Sequence, residues 1–422
     1  MRKKHRGPKT PGPTGRKDAL GVGLPLIMFL VAVVAFVVTY VLVYPSTVIA
    51  KKLGAVDLPS ERRIHTHATT RMGGIAIFGG IVITLALTYT LCRMHIFPRE
   101  LVPPPNVNVW GVFIGMLLMF IVGCIDDVFQ IRALYKLFGQ IAASIIVAAS
   151  GVMLSQISLP GIPGFVDLGI FAWPLTVFWL VAFANIINLI DGLDGLAAGV
   201  SAITFGANFV LSLMNGIPAT ALVAIVGVAV CLAFLRFNFH PAKLFMGDSG
   251  SLTLGFLLGI VSLMGVMRMA TLSSVAVPVI IAGIPVLDTF SAIIRRRREH
   301  ISISEPDKGH IHHSLMKAGL DQRGVVLTIY AICAVFAVSG IVVAGSHDAV
   351  RFVVVILDLG VAAFLVWKLK LFGAVLAHVY SPADRKAGRG KPVKTEFDDV
   401  MPPRGSGGED LGGNQVDGQV DD

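Results

Sequence analysis

The stretch Asn185-Ile-Ile-Asn188-Leu-Ile-Asp191-Gly-Leu-Asp194-Gly195 puts two amides and two carboxylates where an almost wholly apolar run should be leaving lipid. A carboxylate at bilayer depth costs at least about 2.5–3.5 kcal/mol, so polar groups placed there face water or a partner and suggest function by default. On a helix Asp191 and Asp194 share one face, as do Asn185 and Asn188. The glycines among them mark a helix end or a close backbone approach, and a polar cap with glycine turns is the plain alternative.

Further segments carry the same kinds of residue. One holds Glu61-Arg62-Arg63-Ile-His65 and, shortly after, Arg71-Met72-Gly73-Gly74. Asp126-Asp127 closes an apolar run, and Asn238 through Phe245, Met246, Gly247 and Asp248 joins two others. Arg295 to Arg298 precede His310-Ile-His312-His313, and they read as an anchor on anionic lipid more readily than as catalytic groups. Several carboxylates at one surface repel unless a cation sits among them, and oxygen ligands with water suit Mg²⁺ or Mn²⁺. Arg, Lys and His suit phosphate oxygens. Phosphoryl transfer between two anions needs that combination of metal, carboxylates and positioning cations.

The elements that must position these groups are membrane helices. With 55% hydrophobic and only 14% charged residues, and several apolar runs near helix-span length, the chain reads as an all-α polytopic integral membrane protein. Eleven spans are predicted, near 24–44, 73–92, 109–125, 134–154, 171–189, 195–214, 218–237, 250–267, 274–294, 325–345 and 350–371. Together they define a transmembrane catalytic domain over 24–371, between a basic disordered tail (1–23) and a flexible C-terminal tail (372–422). Residues 155–169 are expected to form a short turn or hairpin on the outer side. The four cysteines lack metal-type spacing and read as small buried hydrophobes. The net charge of +9 is concentrated in tails and loops, with no nucleic-acid motif beside it.

Lys and Arg counts choose the orientation. The odd-numbered loops with the C-terminal tail hold 24, against 4 in the even-numbered loops. The positive-inside rule therefore places the odd loops in the cytoplasm, although the 7 basic residues of the N-terminal tail vote the other way. Nearly every polar residue without a bland explanation then falls on the cytoplasmic face.

Taken together, the segments resemble the polyprenyl-phosphate N-acetylhexosamine-1-phosphate transferase family from about Asp57 to Leu315. The motifs that carry the likeness are Arg62-Arg63-Ile-His65 with Arg71 to Gly74, Asp126-Asp127, Asn188 to Gly195, Met246 to Ser251 and His310-Ile-His312-His313. The resemblance implies a bacterial plasma-membrane enzyme. It would use Mg²⁺ to join a polyprenyl phosphate to the sugar phosphate of a UDP-amino sugar, releasing UMP. It also implies roles. Asp248 and Asp127 would be metal ligands, and Asp126 would deprotonate or orient the lipid phosphate. Asn188, Asp194, Asn238 and Phe245 would line the uridine pocket, with Asp191 in support. His310, His312 and His313 would contact diphosphate or sugar, with Arg71 and His65 also meeting phosphate. The His-Ile-His-His form looks like the branch that uses UDP-N-acetylglucosamine. The branch that moves phospho-N-acetylmuramoyl-pentapeptide ranks second, and a transporter of anionic substrates is the alternative from another class. A homodimer is left open.

Overall fold

The computed structural model describes residues 23–57, 69–157, 166–266, 283, 286, 315–316, 319–346 and 348–368. Both predicted tails lie almost wholly outside these residues. The helices among them, numbered in order, are α1 (Leu24–Lys52), α2 (Gly74–Arg93), α3 (Val109–Phe129), α4 (Ala133–Ala149) and α5 (Ala172–Ile190). They continue with α6 (Leu196–Met214), α7 (Pro218–Asn238), α8 (Gly247–Val266), α9 (Gln322–Gly345) and α10 (Asp348–Lys368). Each coincides with a predicted span, and the remaining one, 274–294, lies outside the described residues except for 283 and 286. Eight of the described helices are long and apolar enough to cross a membrane. The chain is a multi-pass all-α membrane protein.

Two boundaries differ from expectation by five residues or more. Helix α1 continues through Pro45 to Lys52. Proline is tolerated in membrane helices where freed backbone groups find other partners. Beyond Pro45, Ser46 Oγ ties α1 to Met72 O in the chain before α2, and Thr47 Oγ1 donates to Val43 O within the helix. Helix α4 stops at Ala149, short of the expected 154, because Ser150 Oγ donates back to Ile146 O and Gly151 turns the chain at φ +93. The hairpin expected in 155–169 is present as Gln156–Ile157 paired antiparallel with Val166–Asp167.

Helix α8 is the hub. Every residue from Ser249 to Met264 is buried, the mark of a helix enclosed on all sides. It packs on α2, α3, α5, α6 and α7. Small residues permit the approach, as they do between membrane helices generally. A Cβ on Gly123 of α3 would stand 2.5 Å from Ser249 Cα, and one on Gly74 of α2 would collide with the backbone of Ser249 and Gly250. Backbone atoms cannot swing aside, and overpacking of this kind costs about 1–3 kcal/mol. Gly74→Ala is therefore expected to lower the thermal midpoint and the yield of folded protein; a wild-type midpoint in detergent would contradict this account of the α2–α8 contact.

Two polar-rich loops are joined at the same end of the bundle. Thr70 and Leu244 form a parallel bridge, Phe245 N donates to Thr70 O, and Gly73 N and Gly74 N donate to Phe245 O and Met246 O. Those bonds fix where α8 begins.

Candidate active site

The first amides of a helix lack intrahelical partners and attract an anion. At α8 that anion is Asp127, 7% exposed, from the last turn of α3. Its Oδ1 accepts from Asp248 N at 2.7 Å, and its Oδ2 accepts from Ser249 N at 3.0 Å and Ser249 Oγ at 2.6 Å. Asp127 thereby clamps α3 to α8 and fixes the backbone that carries Asp248.

The neighbouring Asp126 points elsewhere. Lys136, in the first turn of α4, donates from Nζ to Asp126 Oδ2 at 3.3 Å and to Asn188 Oδ1 at 3.5 Å, and forms a closer ion pair with Asp248. Asn188 Nδ2 in turn donates to Asp248 Oδ1 at 3.0 Å and Ser251 Oγ at 2.8 Å. Four helices, α3, α4, α5 and α8, thus bring two carboxylates, one ammonium and one amide to a point. Asp126 and Asp248 face the ammonium together, while Asp127 is turned to the first amides of α8.

No three His, Cys, Asp or Glu side chains among the described residues group closely enough to hold a metal ion by themselves. A pair of carboxylates nevertheless suits Mg²⁺, which keeps several waters and is commonly held by one or two carboxylates together with substrate phosphates. The ammonium already gathered by Asp126 and Asp248 shows that their oxygens can converge on one positive centre.

Beside this centre lies the turn after α5. Burial first, then the Asp127 and Asp194 carboxylates, push the Asp191 carboxyl well above its ordinary value, with Arg71 opposing. The folded state then holds this proton to higher pH than the unfolded chain does, so stability falls as pH rises between the two values. Asp191→Asn removes that loss. Its thermal midpoint is expected to match wild type near about pH 4 and to exceed it near about pH 8. Parallel midpoint curves for the two proteins would count against this.

Asp194, 4% exposed, accepts from His240 Nδ1 at 2.9 Å and from Ala242 N at 3.1 Å. Asn238, 2% exposed, donates to Leu244 O and accepts from Gly195 N, both at 3.0 Å. Both residues hold the loop between α7 and α8 against the turn after α5. Phe245 is half-buried on that loop, and half-buried Arg71 is near enough to bear on Asp191. His65, His310, His312 and His313 lie outside the described residues. The sequence alone assigned no role to Lys136, Gln140 or His240. Lys136 and Gln140 stand four apart on an otherwise apolar helix, a spacing that could have drawn notice.

Comparison with known proteins shows the family. The family model described as "Glycosyl transferase family 4" matches residues 109–266, the stretch from α3 to α8. The chain is 39% identical over 360 residues to a "Probable undecaprenyl-phosphate N-acetylglucosaminyl 1-phosphate transferase" of Bacillus subtilis, covering 84% of this chain and 93% of that protein. It is 36% identical over 336 residues to a "Decaprenyl-phosphate N-acetylglucosaminephosphotransferase" of Mycobacterium tuberculosis, covering 74% and 81%. To an "Undecaprenyl-phosphate alpha-N-acetylglucosaminyl 1-phosphate transferase" of Escherichia coli it is 29% identical over 350 residues, covering 80% and 91%. With a likeness that runs nearly the whole length of the first of these proteins, and a family model that falls on the helices that build the site, the chain belongs to glycosyl transferase family 4.

Proposed function

We propose that the protein transfers N-acetylglucosamine 1-phosphate from UDP-N-acetylglucosamine to a polyprenyl phosphate in a bacterial membrane. An oxygen of the lipid phosphate attacks the β-phosphorus, the one that bears the sugar. The bond from that phosphorus to the bridging oxygen breaks, UMP leaves with that oxygen, and polyprenyl-diphospho-N-acetylglucosamine remains. The observation that carries the reading is the convergence of Asp126, Asp248 and Lys136 from three helices, in a chain whose relatives are named for this transfer.

Asp248 is the carboxylate assigned to Mg²⁺, with Asp126 beside it to orient the acceptor phosphate or take its proton. When bound, the ion neutralises charge on the transferring group. Asp127 serves by holding Asp248 in place, because its oxygens are engaged by the amides of α8. Lys136 and Asn188 are placed to meet diphosphate oxygens. Asp194, Asn238 and Phe245 keep the nucleotide side, where Asp194 and Asn238 shape the loop that Phe245 occupies. The excess of Lys and Arg on the odd loops supports a cytoplasmic site. Neither the muramoyl-pentapeptide branch nor a transporter draws support from the relatives' names.

The test is purified protein in nanodiscs with UDP-[³H]GlcNAc, undecaprenyl phosphate and Mg²⁺. Labelled lipid and UMP are expected in equal amounts, chelation should stop both, and UDP-MurNAc-pentapeptide should give no product. Absence of labelled lipid under these conditions would refute the reading.

A further inference from the structure

One helical turn deeper than Lys136, α4 and α5 share a second polar contact. Gln140 Nε2 donates to Asn185 Oδ1 at 3.3 Å, and Asn185 Nδ2 donates to Gln140 Oε1 at 2.7 Å. Gln140 is buried, 1% exposed, and Asn185 is half-buried. Asn185 is tied to its own helix as well, its Nδ2 donating to Val181 O at 2.8 Å.

The pair has the spacing of a ladder. Gln140 lies four residues from Lys136 on α4, and Asn185 lies three from Asn188 on α5, so both contacts fall on one seam. Helix α5 is fixed against α8 by close approach, since a Cβ on Gly255 would strike Phe183 O and stand 2.7 Å from Ala184 Cα. Helix α4 meets α3 at backbone distance near its middle, where a Cβ on Gly115 would stand 2.9 Å from Ala143 O, while nearer Lys136 the contact is apolar, a Cβ on Gly139 standing 2.5 Å from Val122 Cγ2. Apolar packing tolerates small rotations of a helix about its axis, whereas two directional hydrogen bonds do not. Interhelical hydrogen bonds in membranes add little net stability, because the helices also find partners when apart. The pair is therefore better explained by register than by strength.

We infer that Gln140 and Asn185 are a positioning pair, setting the rotation of α4 on α5 so that Lys136 reaches Asp126 and Asp248. The inference deepens the transferase reading and rests on it for its catalytic consequence. Neither amide touches substrate; both act through Lys136.

The test uses the full chain in nanodiscs and two independent readouts. In metal-free buffer, an amine-reactive probe labels Lys136 slowly in wild type, because the ammonium is held between carboxylates, and mass spectrometry follows the rate. Gln140→Leu is expected to raise that rate by about five-fold or more. The exchange Gln140→Asn with Asn185→Gln, which rebuilds an amide pair, returns it toward wild type. In the transfer assay Gln140→Leu lowers kcat by about ten-fold with KM for UDP-N-acetylglucosamine within about two-fold, and the exchange variant recovers most of the loss. Asn185→Ala deletes the pair from the other helix and must reproduce both changes, so a misfolded Gln140→Leu leaves the test intact. Equal labelling of Lys136 in wild type and in whichever deletion variant folds overturns the inference, whatever the activity. Altered labelling with a wild type that forms no labelled lipid upholds the pair and overturns the transferase reading instead.

Discussion

Asp248→Asn is expected to reduce turnover by about a thousand-fold or more, equivalent to about 4 kcal/mol of transition-state stabilisation, while the protein stays folded. The size follows from the chemistry. Two anions must be brought to bonding distance, and an amide oxygen in place of a carboxylate holds a divalent ion far less well. The survival of the fold follows from geometry. The start of α8 is held by Asp127 and by the bonds of Gly73 and Gly74 to the chain before it, none of which uses the Asp248 side chain. Asparagine also keeps an oxygen for the Asn188 amide. The check is labelled lipid formed per mole of monodisperse protein, with the thermal midpoint measured alongside. Turnover within about ten-fold of wild type would remove Asp248 from the metal site.

Much of the architecture was legible in the sequence because lipid imposes one simple requirement, a run of apolar residues long enough to satisfy its own backbone. Helix ends were less legible. Pro45 reads as a stop, yet α1 runs through it to Lys52, and only the hydrogen bond of Ser150 and the turn at Gly151 show why α4 stops early. The acidic positions were legible because carboxylates at membrane depth are rare. The resemblance gave Asp127 to the metal, whereas its oxygens are engaged by the amides of α8, and one physical clue to that difference was present. Adjacent residues on a helix point about 100° apart, so Asp126 and Asp127 could not both face one ion in the same way. Lys136 was hidden by a sounder ambiguity. A lysine at the water line reads first as topology charge, and nothing in its own neighbourhood on the chain announces Asp248, 112 residues away. Likewise Asn238 and Asp194 look like ligands by type, and their backbone partners, which make them braces of the loop, exist only once the turns have met.

Lys136→Met carries the second large effect, because it separates two roles that Lys136 combines. The side chain keeps its length and apolar stem, but Asp126 and Asp248 lose the ammonium that neutralises their repulsion. At saturating Mg²⁺, kcat is expected to fall by about a hundred-fold, since a positioning cation on the diphosphate is gone. Lys136→Arg should recover little of it. A planar guanidinium fork cannot replace a compact ammonium that donates to two carboxylates and an amide at once. The same substitution should strengthen the protein's response to metal. With the competing ammonium removed, the two carboxylates are left for the ion, and an affinity gain of about ten-fold adds about 1.4 kcal/mol of metal-linked stability. Magnesium should therefore raise the thermal midpoint of Lys136→Met more than that of wild type, even as the variant turns over more slowly. If the substitution slows transfer but leaves the magnesium response of the midpoint unchanged, Lys136 and the ion do not share these carboxylates, and the metal belongs elsewhere in the bundle.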